Sequence, residues 1–219
     1  MSGPGYRTAH LDELERFDAD AVTIPIRIPL GIGSFGINAY AAREVGGQVI
    51  EDHDELGAGA GHHEELYFVL KGHARFVVDG DELDGPPGTF VFVPDPATRR
   101  AAMAAEADTT VLVVGGTRGE PFAASPWESW LEALPLYTAK DYDGATAIMR
   151  RALEEHPDNP NVLYNLACCE ALAGQRTDAL AHIVRAAERD PRVPAWASTD
   201  SDLDSIRDED GFPQPSKPA

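Results

Sequence analysis

HHEELYFVLKGHARFVVDGDELDGPPGTFVFVPDPATRR, residues 62–100, reads as short strands joined by Gly/Pro turns. ELYFVL (65–70), ARFVVD (74–79) and TFVFVP (89–94) are rich in aromatic and β-branched residues, and Asp79-Gly80 is a hairpin signal between two of the runs. The rhythm continues outward. IPIRI (24–28), SFGINAY (34–40) and GQVIEDH (47–53) precede it; RRAAMA (99–104) and TTVLVV (109–114) follow. The prolines weaken the first of these as a strand. Many short strands at this spacing predict a sandwich or barrel. In ELYFVL both alternating sets are apolar, with Tyr67 and Val69 on one face and Leu66, Phe68 and Leu70 on the other. Such a strand needs cover on both sides, from the N-terminal strands or from a partner subunit.

Near residue 123 the period becomes helical. TRGEPFAASP (117–126) reads as a linker. YNLACCEALAG (164–174) predicts a helix with Leu163 and Leu166 inward and Gly174 as its stop. TDALAHIVRAAERDP (177–191) predicts a second, with Thr177 as N-cap. Pro135 predicts a kink or a start in the preceding helix. Ala145, Ala152 and Pro157 recur as Ala179, Ala186 and Pro191, a common shift of 34. WASTDSDLDSIRDEDGF (196–212) closes the array; its six acids between Asp200 and Asp210 read as a solvated face or as a dock for a basic partner. The predicted layout is an extension at 1–23, a β-barrel at 24–122, a helical domain at 126–212 and a flexible tail at 213–219.

Composition excludes several roles. A net charge of −19 with no basic stripe argues against nucleic acid and against anionic membrane surfaces. No apolar run reaches the length of a membrane span. The N-terminus has no signal-peptide core, and the two cysteines, Cys168 and Cys169, are adjacent on a helical pattern where they cannot bridge. A cytoplasmic location is expected. GIGSFG (31–36) lacks the spacing and the following helix of a dinucleotide site.

The β half resembles the cupin family of small barrels: Glu65 and Gly72 fit its first motif, and PPGTFVFVP (86–94) fits the approach to its second. The helical half resembles the tetratricopeptide repeat. Together they imply a multi-domain β plus α chain: a cupin-type double-stranded β-barrel, then a small all-α tetratricopeptide-like domain. The cupin resemblance also implies a homodimer paired through the barrel, and the repeats a protein partner.

Metal-binding cupins carry His-x-His a few residues before the Glu, and a last His after the second motif. Counted from Glu65, those positions fall on Gly59, Gly61 and Arg99, and Pro96 replaces a Gly. Only Glu65 remains as a ligand. A guanidinium repels a dication, so Arg99 is expected to pair with Glu65 where relatives hold metal. The alternatives are that Arg99 binds a carboxylate or phosphate of a ligand, or points outward. The expected ligand pocket is Glu65, Arg99, Tyr67 and His63, with no cofactor. The function expected is a non-catalytic small-ligand or protein-binding module. The competing expectation is a metal-dependent enzyme, a dioxygenase or isomerase, holding a divalent transition metal with His53, Glu55, His63 and Glu65. His73, after the turn glycine, is expected at the surface.

Overall fold

The computed structural model describes residues 5–18 and 21–215 in full and residues 2–3 by backbone alone; residues 216–219 of the expected tail lie outside the described residues. The chain divides into two compact units, residues 1–124 and 125–219.

The first unit is built of antiparallel strands. β1 (Ser2–Gly3) and β2 (Tyr6–Arg7) form a small ribbon. The remaining ten are β3 (Phe17–Asp18), β4 (Val22–Pro25), β5 (Gly36–Ala42), β6 (Gln48–His53), β7 (Glu64–Lys71), β8 (Ala74–Val78), β9 (Asp81–Gly85), β10 (Phe90–Val93), β11 (Arg100–Ala104) and β12 (Thr109–Gly116). They make two sheets, in the orders β10-β7-β12-β5-β4-β3 and β6-β11-β8-β9. From β5 onward the chain crosses between the sheets at every step except the β8–β9 hairpin, as in a cupin-like jelly roll.

Alternation builds the core between the sheets. Tyr67, Val69, Val91, Val93, Val111 and Val113 meet Val49, Phe76, Ala102 and Ala104. The outer face of the larger sheet carries a second apolar layer. There Val22, Ile24, Ala39 and Ala41 lie under Leu11, Leu14 and Ile26, so the N-terminal segment supplies cover for β4, β5 and β12. The β7–β10 end of that face is open: Phe90 is 63% exposed and Phe92 56%, and Phe90 stacks on Phe68.

Two expectations need correction. IPIRI is not one strand, because β4 ends at Pro25 and Arg27–Leu30 forms a single helical turn, α1. Asp81–Gly85 forms a strand that the sequence reading did not contain; Asp79 (φ 50°) and Gly80 (φ 89°) turn the chain so that β9 pairs with β8. The glycine before β8 is a steric requirement. Gly72 has φ 71°, and a Cβ there would lie 2.6 Å from Thr109 Cα.

The second unit contains α2 (Pro126–Thr138), α3 (Tyr142–Glu155), α4 (Pro160–Leu172), α5 (Arg176–Arg189) and the short α6 (Val193–Ala197). The first helix pair maps onto the second with the 34-residue shift. Ala145, Met149 and Ala152 correspond to Ala179, Ile183 and Ala186, and all six are buried. The alanines let helices approach closely while Met149 and Ile183 fill the space between them. Leu163 and Leu166 are fully buried, and Gly174 (φ 77°) ends α4.

Three local readings differ. α4 starts before Tyr164, because the Asn159 side chain accepts from the N–H groups of Asn161 and Val162 and Pro160 suits the first turn. Thr177 lies inside α5, whose N-cap is Gln175, with no capping side-chain hydrogen bond. Pro135 does not start α2, which begins at Pro126 and continues through it to Thr138. Leu203, Ile206 and Phe212 of the closing segment pack against α4 and α5 in one cluster. Both cysteines are free and buried. No helix among the described residues is long and apolar enough to cross a membrane.

Candidate functional site

Glu65 and Tyr67 share the inward face of β7, two residues apart. Opposite them β11 begins, and its burial alternates with Arg100, Ala102 and Ala104 inside. Arg100 is 1% exposed. Its Nη2 and Nε donate to Glu65 Oε2 at 2.7 and 3.1 Å, and Nε also reaches the Tyr67 hydroxyl at 3.1 Å. Nη1 donates to the carbonyls of Thr98 (2.7 Å) and Pro96 (3.2 Å). Tyr67 donates a short hydrogen bond to the same Glu65 oxygen. All three guanidinium nitrogens are thus engaged, by the carboxylate, the phenol and two carbonyls.

This corrects the expectation for Arg99. That side chain lies outside, half exposed, with Nη2 2.9 Å from Asp52 Oδ2 and Nε donating to Asp52 Oδ1. A one-residue offset on a strand moves a side chain to the opposite face. β11 begins at Arg100, so residue 100 and not residue 99 opens its inward face.

The same arithmetic misplaced the upstream positions. Gly59 and Gly61 sit in a long loop between β6 and β7. His53, the last residue of β6, is the register partner of Arg100. Its Nδ1 donates to the Glu51 carbonyl at 2.7 Å, which directs Nε2 at two carboxylates: Glu65 Oε2 at 3.6 Å and Glu55 Oε1 at 3.8 Å. Glu55 is buried; its Oε2 accepts from the N–H of Gly61 (2.9 Å) and of His63 (3.4 Å). His63 does not join them. Its ring is buried against Phe122, with Nε2 donating to the Ala123 carbonyl at 3.0 Å. His73 bonds Asp84 at 2.6 Å on the outside.

Charge coupling follows the geometry. For Glu65, burial works to raise the pKa, but hydrogen bonds from His53, Tyr67 and Arg100 outweigh it and hold the carboxyl below its usual range. Burial opposes charge on His53 as well, yet the bonds to Glu65 and the Glu51 carbonyl raise its pKa. Burial and the neighbouring Glu65 charge push the Tyr67 phenol well up, which keeps it a donor.

His53, Glu55 and Glu65 offer one nitrogen and two oxygens within 4.8 Å of one another, a donor set suited to a transition metal. The fit is nonetheless poor. Glu65 Oε2 is already committed to Arg100 and Tyr67, and the guanidinium charge lies one hydrogen bond from the carboxylate a dication would need. A second group, Cys168, Asp200 and Asp202, lies in the helical unit. Tyr164 donates to Asp200 at 2.6 Å and Tyr137 to Asp202 at 2.7 Å. Burial and these acids push the Cys168 thiol far up, so it stays protonated and ligates poorly.

Residues 136–199 match a family model described as the tetratricopeptide repeat. No curated protein matches the chain. Three solved structures illustrate its structural neighbours. A cupin protein from Bacteroides fragilis is 15% identical, over 56% of this chain and 93% of that one, with a TM-score of 0.42. A sugar phosphate isomerase of the cupin superfamily from Silicibacter pomeroyi is 20% identical, over 50% and 74%, with a TM-score of 0.41. The polyketide cyclase RemF from Streptomyces resistomycificus is 17% identical, over 50% and 78%, with a TM-score of 0.40. By its own strand order and its own 34-residue helical period, the chain joins a cupin-like β unit to a tetratricopeptide-like helical unit.

Proposed function

We propose that the chain is a non-catalytic binding protein, in which the β unit binds a small ligand or a protein and the helical unit docks a protein partner. One observation carries this: the Arg100 guanidinium is bonded to Glu65 inside the barrel, where the cupin resemblance expects a metal. Inside the barrel the Arg100 cation already balances the Glu65 carboxylate without an added ion. The second unit adds a stacked helical surface. The open apolar patch of Phe68, Phe90 and Phe92 supports pairing with a second copy through the barrel. The charge of −19 supports a partner that is neither nucleic acid nor membrane. A cytoplasmic setting suits the two free thiols.

The proximity of His53, Glu55 and Glu65 favours a second reading, a metal-dependent enzyme of the dioxygenase or isomerase type. Elemental analysis of protein purified without chelator separates the two. The binding-module reading expects less than about 0.1 equivalent of Zn, Mn or Fe, since a structural or catalytic site binds near one. Stoichiometric metal that disappears in both His53→Ala and Glu55→Ala would overturn it.

A further inference from the structure

We propose that residues 117–124 form a latch at the Glu55–Glu65 end of the barrel, coupling the chain that leaves β12 to the loop that carries Glu55. The inference does not depend on what the site binds.

Three residues build the latch. Phe122 lies over a place cleared of side chains: Gly36 and Gly115 are register partners on β5 and β12, and a Cβ added at Gly36 would stand 3.3 Å from the Phe122 ring. The ring is also engaged by His63 (centroids 5.3 Å apart) and by the Arg27 guanidinium, 5.8 Å from its centroid. The next residue, Ala123, accepts the His63 Nε2 proton at 3.0 Å. At the near end, the Thr117 hydroxyl faces the Gly61 carbonyl at 3.5 Å. Between these anchors the tip, Arg118–Pro121, is exposed.

The partners on the barrel side are the ones that hold Glu55. Gly61 and His63 donate their backbone N–H groups to Glu55 Oε2. A displacement of Phe122 therefore frees His63, and through it loosens the backbone donors of a buried carboxylate that points at His53. Next to it, a Cβ at Gly115 would stand 3.4 Å from both Glu65 Cγ and His63 Cβ, so the strand end under the latch is also the start of the site. In sequence the latch runs straight into Ser125, the first residue of the helical unit.

Amide hydrogen exchange followed by NMR on the full chain tests the coupling. Phe122→Ala should speed exchange of the Gly61 and His63 N–H groups by at least about tenfold, together with residues 117–124, while β8 and β11 keep their rates. Faster exchange in 117–124 alone, or no change anywhere, overturns the proposal. Should Phe122→Ala loosen both sheets, Gly36→Ala is read instead. It pushes the ring by a few tenths of an ångström without removing it, and the same confined acceleration at 61 and 63 is expected; its absence refutes the latch.

Discussion

Arg100→Ala tests the interior of the barrel most directly. The substitution removes a guanidinium that is 1% exposed and leaves the Glu65 carboxylate, itself largely buried, without its cation. Breaking a buried pair in this way costs about 3–5 kcal/mol, because the remaining charge stays out of water. The carbonyls of Thr98 and Pro96 lose their donor as well, which places the expected loss toward the upper end of that range. The control is the neighbouring residue. Arg99→Ala breaks an exposed, solvent-screened pair with Asp52 and should leave the unfolding midpoint nearly unchanged. Urea unfolding followed by NMR through the amide signals of β7 and β11 reports the sheets. Tryptophan fluorescence reports the other unit, since Trp127, Trp130 and Trp196 all lie there. Glu65→Gln combined with Arg100→Ala should lose less than the sum of the two single changes, by about 1–3 kcal/mol, as coupled neighbours do. If Arg100→Ala proves no more costly than Arg99→Ala, the guanidinium does not serve as the internal counter-ion and the argument for a built-in cation fails.

Stability of the β unit should peak between the ordinary values of Glu65 (4.5) and His53 (6.5). Glu65 is depressed in the fold, so its contribution is present above 4.5 and fades as pH falls through its lower folded value. His53 is raised, so its contribution is full below 6.5 and fades as pH rises through its higher folded value. His53→Gln should flatten the alkaline limb of a urea-midpoint profile; an unchanged limb counts against the His53–Glu65 contact. In the helical unit, Glu170 is fully buried and accepts from Arg150 (2.7 Å) and His182 (2.6 Å). Arg150→Ala together with His182→Ala should therefore cost about 3–5 kcal/mol in the tryptophan-detected transition, while Glu170→Leu should cost under about 1 kcal/mol; the reverse order would show that Glu170 is not an internal charge needing partners. Phe90→Lys with Phe92→Lys should convert a dimer to a monomer in sedimentation equilibrium, and a native mass already that of one chain would refute pairing through this face.

The fold was legible where periodicity is strong. Tyr67, Val69, Val91 and Val93 alternate cleanly, and Ala145 and Ala152 find their copies 34 residues on, because a pleat and a helix pair impose those intervals on any sequence that buries them. β9 escaped notice because Asp81–Asp84 lies wholly exposed and only Gly85 is buried, so no apolar alternation marks the strand. The site was misread for a different reason. Motif counting assumes fixed loop lengths, whereas loops tolerate insertion and strands do not. Counting back from Glu65 landed in the loop at Gly59 and Gly61, and counting on from Pro94 stopped at Arg99. The correcting signal was in the sequence: Arg100-x-Ala102-x-Ala104 places two small core residues on the face of Arg100, and His53-x-Glu55 ends the preceding strand run. Nothing of that kind announces the role of Phe122, whose seat is formed by glycines distant in sequence.

The pairing of Glu65 with Arg100 says more about function than about folding. An apolar pair of similar volume in the same place fills a core as well as a salt bridge does, often with equal or greater stability. The barrel therefore has no folding need for four ionisable groups at one end. Their arrangement is also asymmetric. Arg100 has spent its donors on Glu65, Tyr67 and two carbonyls, whereas His53 holds only one firm hydrogen bond, to Glu51, and meets its carboxylates at 3.6 and 3.8 Å. Those two looser separations are where an incoming polar group gains most, because a ligand that bridges them replaces weak contacts with full hydrogen bonds while the Arg100 anchor stays fixed. A ligand of this site is then expected to engage His53, at the end of β6, and Glu55, which the loop and the Phe122 latch hold, and to leave Arg100 undisturbed.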